Sequence, residues 1–240
     1  MTYSVLACEG SHDVAALSWL ARICIGWKEA ATVPEDIRGK FERTPPDSRL
    51  SQIYLAKDRH LLIVKRFGGK EGLLNQHNAK FLSESKAVGI GIIVDANDVG
   101  VDKRVDSFRT TFGRTFPHAQ DAAAGAVWGE TPRLGLWIAP NNKDSGAMDD
   151  ALVTAARRSQ KTLVAAGEAF VRSAEEIASG KWIKKRSKAL LGTVYQVEAP
   201  GTSLAVGLTA GKCWFDEGIA QVEPFASLAK FIDAIGTGVS

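Results

Sequence analysis

The stretch Val88 to Asp98, reading VGIGIIVDAND, constrains the fold more than any other in these 240 residues. It is apolar, rich in Ile and Val, interleaved with two glycines, and it ends abruptly in Asp95, Asn97 and Asp98. The run is too short to span a membrane, which takes about 20 residues. It is also too β-branched for a comfortable helix. A strand covered on both faces, inside a parallel sheet, fits it best. Acids directly after such a strand lie at the carboxyl edge of the sheet, where open α/β folds bind their ligands. Two acids and an amide there can share a hard cation through oxygen. A turn, or the cap of the next helix, accounts for them equally well from this stretch alone.

Upstream, Tyr3 to Cys8 reads as a short strand closed by Glu9-Gly10, followed by helical spacing from Ser11 to Trp27 with Ser11 as N-cap. Strand, glycine turn and helix make half of a βαβ unit, which sets Glu9 and Asp13 at the same sheet edge as Asp95. An acid in a helix's first turn is favoured by the dipole, which explains Asp13 but not Glu9. Lys28 to Asp58, with three prolines, reads as a mobile or short-helical excursion. Leu61 to Phe67 is a second strand, Gly68-Gly69 a turn, and about Lys70 to Glu84 a helix. Asp102 can cap a helix with Val105, Phe108 and Phe112 inward. Leu134 to Ala139 is a further strand, after which Met148-Asp149-Asp150 opens a helix. The rest reads as helical: Ala151 to Ser179 with a break at Gly167, Trp182 to Val197, and a last helix from Pro224 with Phe225, Leu228, Phe231 and Ile232 inward.

The expected architecture is therefore α/β, a mostly parallel sheet flanked by helices. Residues 1–156 form its core, and residues 157–240 a mostly helical extension packed on it. Nothing resembles a membrane helix or a secretory leader, and three cysteines without ligand spacing suit a reduced, cytoplasmic protein. Net charge is only +3, yet residues 157–188 hold nine basic side chains against three glutamates. Such a run can follow a phosphate backbone, or simply be a solvated helix surface. His12, beside Asp13, reads either as a neighbour of the site or as an exposed helix-start histidine.

Glu9-Gly10 with Asp13, and a parallel strand ending Asp95-x-Asn97-Asp98, resemble the Toprim domain of topoisomerases, DnaG-type primases and overcoming-lysogenization-defect nucleases. Three further segments match in order an uncharacterised bacterial Toprim-like branch. They are Phe67-Gly68-Gly69, then Leu136 to Asn141 with Gly146 to Asp150, then Arg186-Ser187-Lys188-Ala189. The resemblance implies a Toprim-like (Rossmann-like) sheet and a Mg2+ (or Mn2+) site drawn from Glu9, Asp13, Asp95, Asn97, Asp98 and Asp149. It implies phosphodiester chemistry on DNA or RNA, with Glu9 and Asp95 catalytic. Lys188, in the cationic run Lys184, Lys185, Arg186 and Lys188, reads either as a catalytic stabiliser of the phosphate within a nucleic-acid-binding patch or as a surface lysine on a helix. A partner protein or a homodimer is compatible with it. Asn97 stands where the family usually carries a second aspartate, and Asp149 where the branch carries a glutamate. These departures leave open a catalytically degenerate protein that binds nucleic acid or nucleotide. Tyr3, Tyr54 and Tyr195 fall in core or late-helix positions, so none serves as a topoisomerase nucleophile.

Overall fold

The computed structural model describes residues 1–42, 51–68, 72–177, 185–210 and 218–237. The expected positions Gly69, Trp182, Lys184 and Cys213 lie outside them. In chain order come β1 (Thr2–Cys8), α1 (Ser11–Ile25), β2 (Lys28–Glu29), α2 (Glu35–Glu42), β3 (Gln52–Lys57), β4 (His60–Arg66), α3 (Gln76–Glu84) and β5 (Gly89–Asp95). Then follow α4 (Val101–Phe112), β6 (Val127–Trp128), β7 (Arg133–Ala139), α5 (Met148–Ser159), α6 (Lys161–Ile177), α7 (Arg186–Glu198), α8 (Leu204–Thr209) and α9 (Phe225–Thr237). No described helix is long and apolar enough to cross a membrane.

The strands form one seven-stranded sheet in the order β2-β3-β4-β1-β5-β7-β6. Its four central strands run parallel, β1 between β4 and β5, and β7 beyond β5. The antiparallel pairings lie outside them. Alternation splits the strands between two cores. Val5, Ile63, Ile90, Ile92 and Leu136 pack under α2, α3 and α4, while Leu6, Val64, Ile93 and Trp137 pack under α1 and the later helices. Both faces being covered, the central strands read as unbroken apolar runs.

Glycines of β5 and β7 have a packing reason. A Cβ on Gly89 would stand 2.4 Å from the Ile235 carbonyl oxygen, and one on Gly135 would stand 2.7 Å from the Phe231 ring. They floor a trough in which α9 lies directly on β1, β5 and β7. Its inward residues Phe225, Leu228, Phe231 and Ile232 are those the spacing predicts.

The excursion expected over Lys28 to Asp58 holds a short helix, α2, as expected, but also the strands β2 and β3, and β3 turns at Asp58 (φ 54°) into β4. β3 hides because it is half-exposed near the edge, with only Leu55 fully buried. The helix expected from Lys70 begins at Gln76, where the Asn75 side chain accepts from Asn78 N at 2.8 Å. The long helix breaks at Gln160 rather than Gly167. Gly167 lies within α6 because a Cβ there would stand 2.9 Å from Val194 of α7.

Candidate functional site

β1 and β5 are parallel neighbours in register from Ser4 against Gly89 to Cys8 against Ile93, so Glu9 and Asp95 leave the sheet at one edge. Glu9 Oε2 accepts from the Asp95 backbone N–H at 3.0 Å. Gly68 makes room for Glu9, since a Cβ there would stand 2.2 Å from the Glu9 carbonyl oxygen. α1 starts from Gly10, not Ser11, as its N-cap. Asp13 reaches back so that its Oδ2 accepts from Gly10 N at 2.7 Å and Glu9 N at 3.1 Å. Asp95 Oδ1 in turn accepts from Met148 N, the first residue of α5, at 2.9 Å.

Asp149 and Asp150 share α5's first turn but serve different neighbours. Asp149 Oδ1 pairs with His12 Nδ1 at 2.7 Å, joining the starts of α5 and α1. His12 is thus a partner within the site, not an exposed histidine. Asp150 Oδ2 accepts from Ala147 N at 2.7 Å, while its Oδ1 accepts from the Ser187 hydroxyl of α7.

The acids press on one another. Asp13 is only 6% exposed, and burial, then the Asp95 charge, raise its pKa from 3.8 to about 8, with Asp149 and Glu9 adding and the Gly10 N–H opposing. Burial raises Asp95 to about 6, helped by Glu9 and Asp149 and opposed by the Met148 N–H and Lys185. Burial and the same neighbouring acids push the Cys8 thiol well above its ordinary value, so it is a poor nucleophile. Glu9, Asp13, Asp95 and Asp149 therefore converge electrostatically.

Asn97 and Asp98 stand apart from that convergence. Asp98 is exposed and is not among the charges that move Asp13 or Asp95. Asn97 has φ 47°, a left-handed conformation that Asn tolerates better than most residues. Its backbone pairs with Gly146, N to O at 2.6 Å in one direction and 3.3 Å in the other, tying the loop after β5 to the loop after β7. Both residues line a cleft of about 290 Å3 together with Asp149, Lys185 and Lys188. Arg186, which lines it too, pairs with Glu175 at 3.6 Å.

Sequence reasoning missed Asp150, Lys185's reach to Asp95, and Arg66. Arg66 ends β4 beside Cys8, whose charged form it favours. Its place at the end of a parallel strand ahead of Phe67-Gly68 was the available signal.

Oxygen-only donors suit a hard divalent cation. Glu9, Asp13 and Asp95 each commit one carboxylate oxygen to backbone amides, and the other accepts no hydrogen bond from a described residue. As they stand, no three His, Cys, Asp or Glu side chains among the described residues group closely enough to hold a metal. The donor chemistry thus fits Mg2+ or Mn2+, and side-chain adjustment has to complete any cage.

An α/β protein with a mostly parallel seven-stranded sheet and acids gathered at its carboxyl edge is the class these features define. The chain belongs to the family described as protein of unknown function (DUF3226), whose model matches residues 3–228. It is similar to the crystal structure of the hypothetical protein PH0156 from Pyrococcus horikoshii OT3, with 14% identity and a TM-score of 0.57, covering 98% of this chain and 95% of that one. At that identity the likeness concerns the fold. No curated protein matches the sequence.

Proposed function

We propose that this protein carries out metal-dependent phosphodiester chemistry on nucleic acid, most nearly as a Toprim-type nuclease with a Toprim-like, Rossmann-like sheet. One observation carries the reading. Glu9, Asp13, Asp95 and Asp149 come from two strand ends and two helix starts, yet lie close enough to raise the pKa of Asp13 and Asp95. Gathering like charges costs stability, and such perturbation marks functional sites more often than structural ones. Lys185 and Lys188 bring the opposite sign to the adjoining cleft.

In this reading Glu9, Asp13, Asp95 and Asp149 hold Mg2+ or Mn2+, with Asn97 contributing its amide oxygen and Asp98 at the rim. The bound ion neutralises phosphate charge and lowers the pKa of an attacking water. Glu9, whose Oε1 accepts no hydrogen bond from a described residue, can instead of binding the ion take or give a proton as general acid or base. His12 orients Asp149, and Lys188 faces the charge that develops on the phosphate. Lys185 and Arg186, which also line the cleft, offer further positive charge to the flanking backbone.

The test is cleavage of labelled single- and double-stranded DNA and RNA with Mg2+ or Mn2+. Activity is expected to disappear in Glu9→Ala and Asp95→Ala, and cleavage surviving both substitutions refutes the proposal. A second reading, a degenerate protein that binds nucleic acid or nucleotide, is favoured by Asn97, a neutral donor held in place by its own backbone pairing. Oligonucleotide binding without turnover under any divalent cation selects it.

A further inference from the structure

The two acids that open α5 are adjacent in sequence but face different helices, and the second is unused by the chemistry above. Asp150 has both oxygens engaged. One caps its own helix through Ala147 N at 2.7 Å, and the other takes the Ser187 hydroxyl in the first turn of α7. Gly146 is needed beside it, because a Cβ there would stand 2.7 Å from Asp150 Oδ2. The body of α7 is held by packing through Leu190, Leu191 and Val194. Its first turn has weaker anchors. The Lys185 side chain makes no cap, and the Arg186–Glu175 pair at 3.6 Å joins an arginine side chain 54% exposed to a glutamate 27% exposed. Exposed pairs of that kind fix little.

We infer that Asp150 is a positioning residue: through Ser187 it holds the first turn of α7 so that Lys185 and Lys188 stay at the cleft they line with Asp149. This rests on the phosphodiester reading for its substrate, since the phosphate of a nucleic-acid strand is what the cleft would grip. Each Asp150 oxygen accepts one hydrogen bond, from Ala147 N and from the Ser187 hydroxyl. The divided duties of the pair follow. Asp149 works inward through His12, and Asp150 outward through Ser187.

Ser187→Ala removes the tether and leaves the Ala147 cap intact. A fluorescein-labelled 12-nucleotide single strand, followed by anisotropy in EDTA, is expected to bind about tenfold more weakly, consistent with losing one hydrogen bond to a charged group. Mn2+ affinity by calorimetry is expected to stay within twofold, and Ser187→Thr to restore strand binding. In cleavage, KM rises far more than kcat falls. A purely structural role would instead lower the melting temperature and both affinities together, which overturns the inference.

Amide exchange at Ala189 to Leu191 reads the tether without any substrate. It is expected to quicken about tenfold in Ser187→Ala, and by as much in the Asp150→Asn, Ser187→Ala double variant, because the two residues act as one unit. Unchanged exchange overturns the positioning role whatever the protein's activity. Faster exchange, in a protein that binds no strand even when wild type, upholds the tether and sinks the nucleic-acid reading.

Discussion

Removing the charge from Asp13 is expected to stabilise the metal-free protein, and increasingly so as pH rises. Asp13 titrates near 8 in the folded chain against 3.8 for a free side chain, chiefly because it is buried and then because Asp95 is close. Between those values the folded chain keeps a proton that the unfolded chain has released. The stability that Asp13 contributes is therefore greatest below about pH 4, falls as pH rises, and levels off above about pH 8. At about 1.4 kcal/mol per tenfold, the full span comes to at most about 5–6 kcal/mol, and water reaching the sheet edge reduces it. Asp13→Asn keeps an oxygen for the Gly10 and Glu9 amides and needs no proton to stay neutral. Its advantage over wild type should grow by about 2–4 kcal/mol between pH 5 and pH 8. Urea unfolding in EDTA at the two pH values measures this directly. A wild-type protein equally stable at both, or a variant whose advantage does not grow with pH, refutes the claim that the acids are compressed.

Gly68→Ala forces a Cβ to within 2.2 Å of the Glu9 carbonyl, which must shift. A loss of about 2–3 kcal/mol is expected, seen as a melting point lower by about 5–10 °C. Asn97→Asp adds a charge at a position whose φ of 47° an aspartate also tolerates. Titration calorimetry should show Mn2+ binding about tenfold more tightly, at about 1 kcal/mol of stability in EDTA. Lys185→Ala and Lys188→Ala should each reduce the salt dependence of oligonucleotide binding by about one unit of slope, with little preference among sequences.

How much of this was legible depended on what buries each residue. β4, β5 and β7 are covered on both faces, so composition alone marks them. β3, near the sheet edge, mixes Gln52, Tyr54 and Lys57 with Ile53 and Leu55, and its pairing rests on β4 rather than on its own pattern. Glu9 stood out because an acid ending a buried strand has no local excuse, whereas Asp95 could equally be read as a turn or cap residue. Asp149 and Asp150 did not separate, because the helix dipole favours both equally. Only the arrival of α1 beside one and α7 beside the other distinguishes them. The N-cap of α1 is Gly10 rather than Ser11, and its own amide donates back to Asp13 in the first turn.

The helix seated in the glycine trough comes from residues 225–237, whereas the strands beneath it are complete by residue 139. During synthesis the ribosome therefore adds about 90 residues between finishing the sheet and delivering that part of its cover. Throughout that interval the nascent chain displays greasy surface that no earlier segment can shield in the same way, because the missing side chains leave a groove shaped for one late-arriving helix.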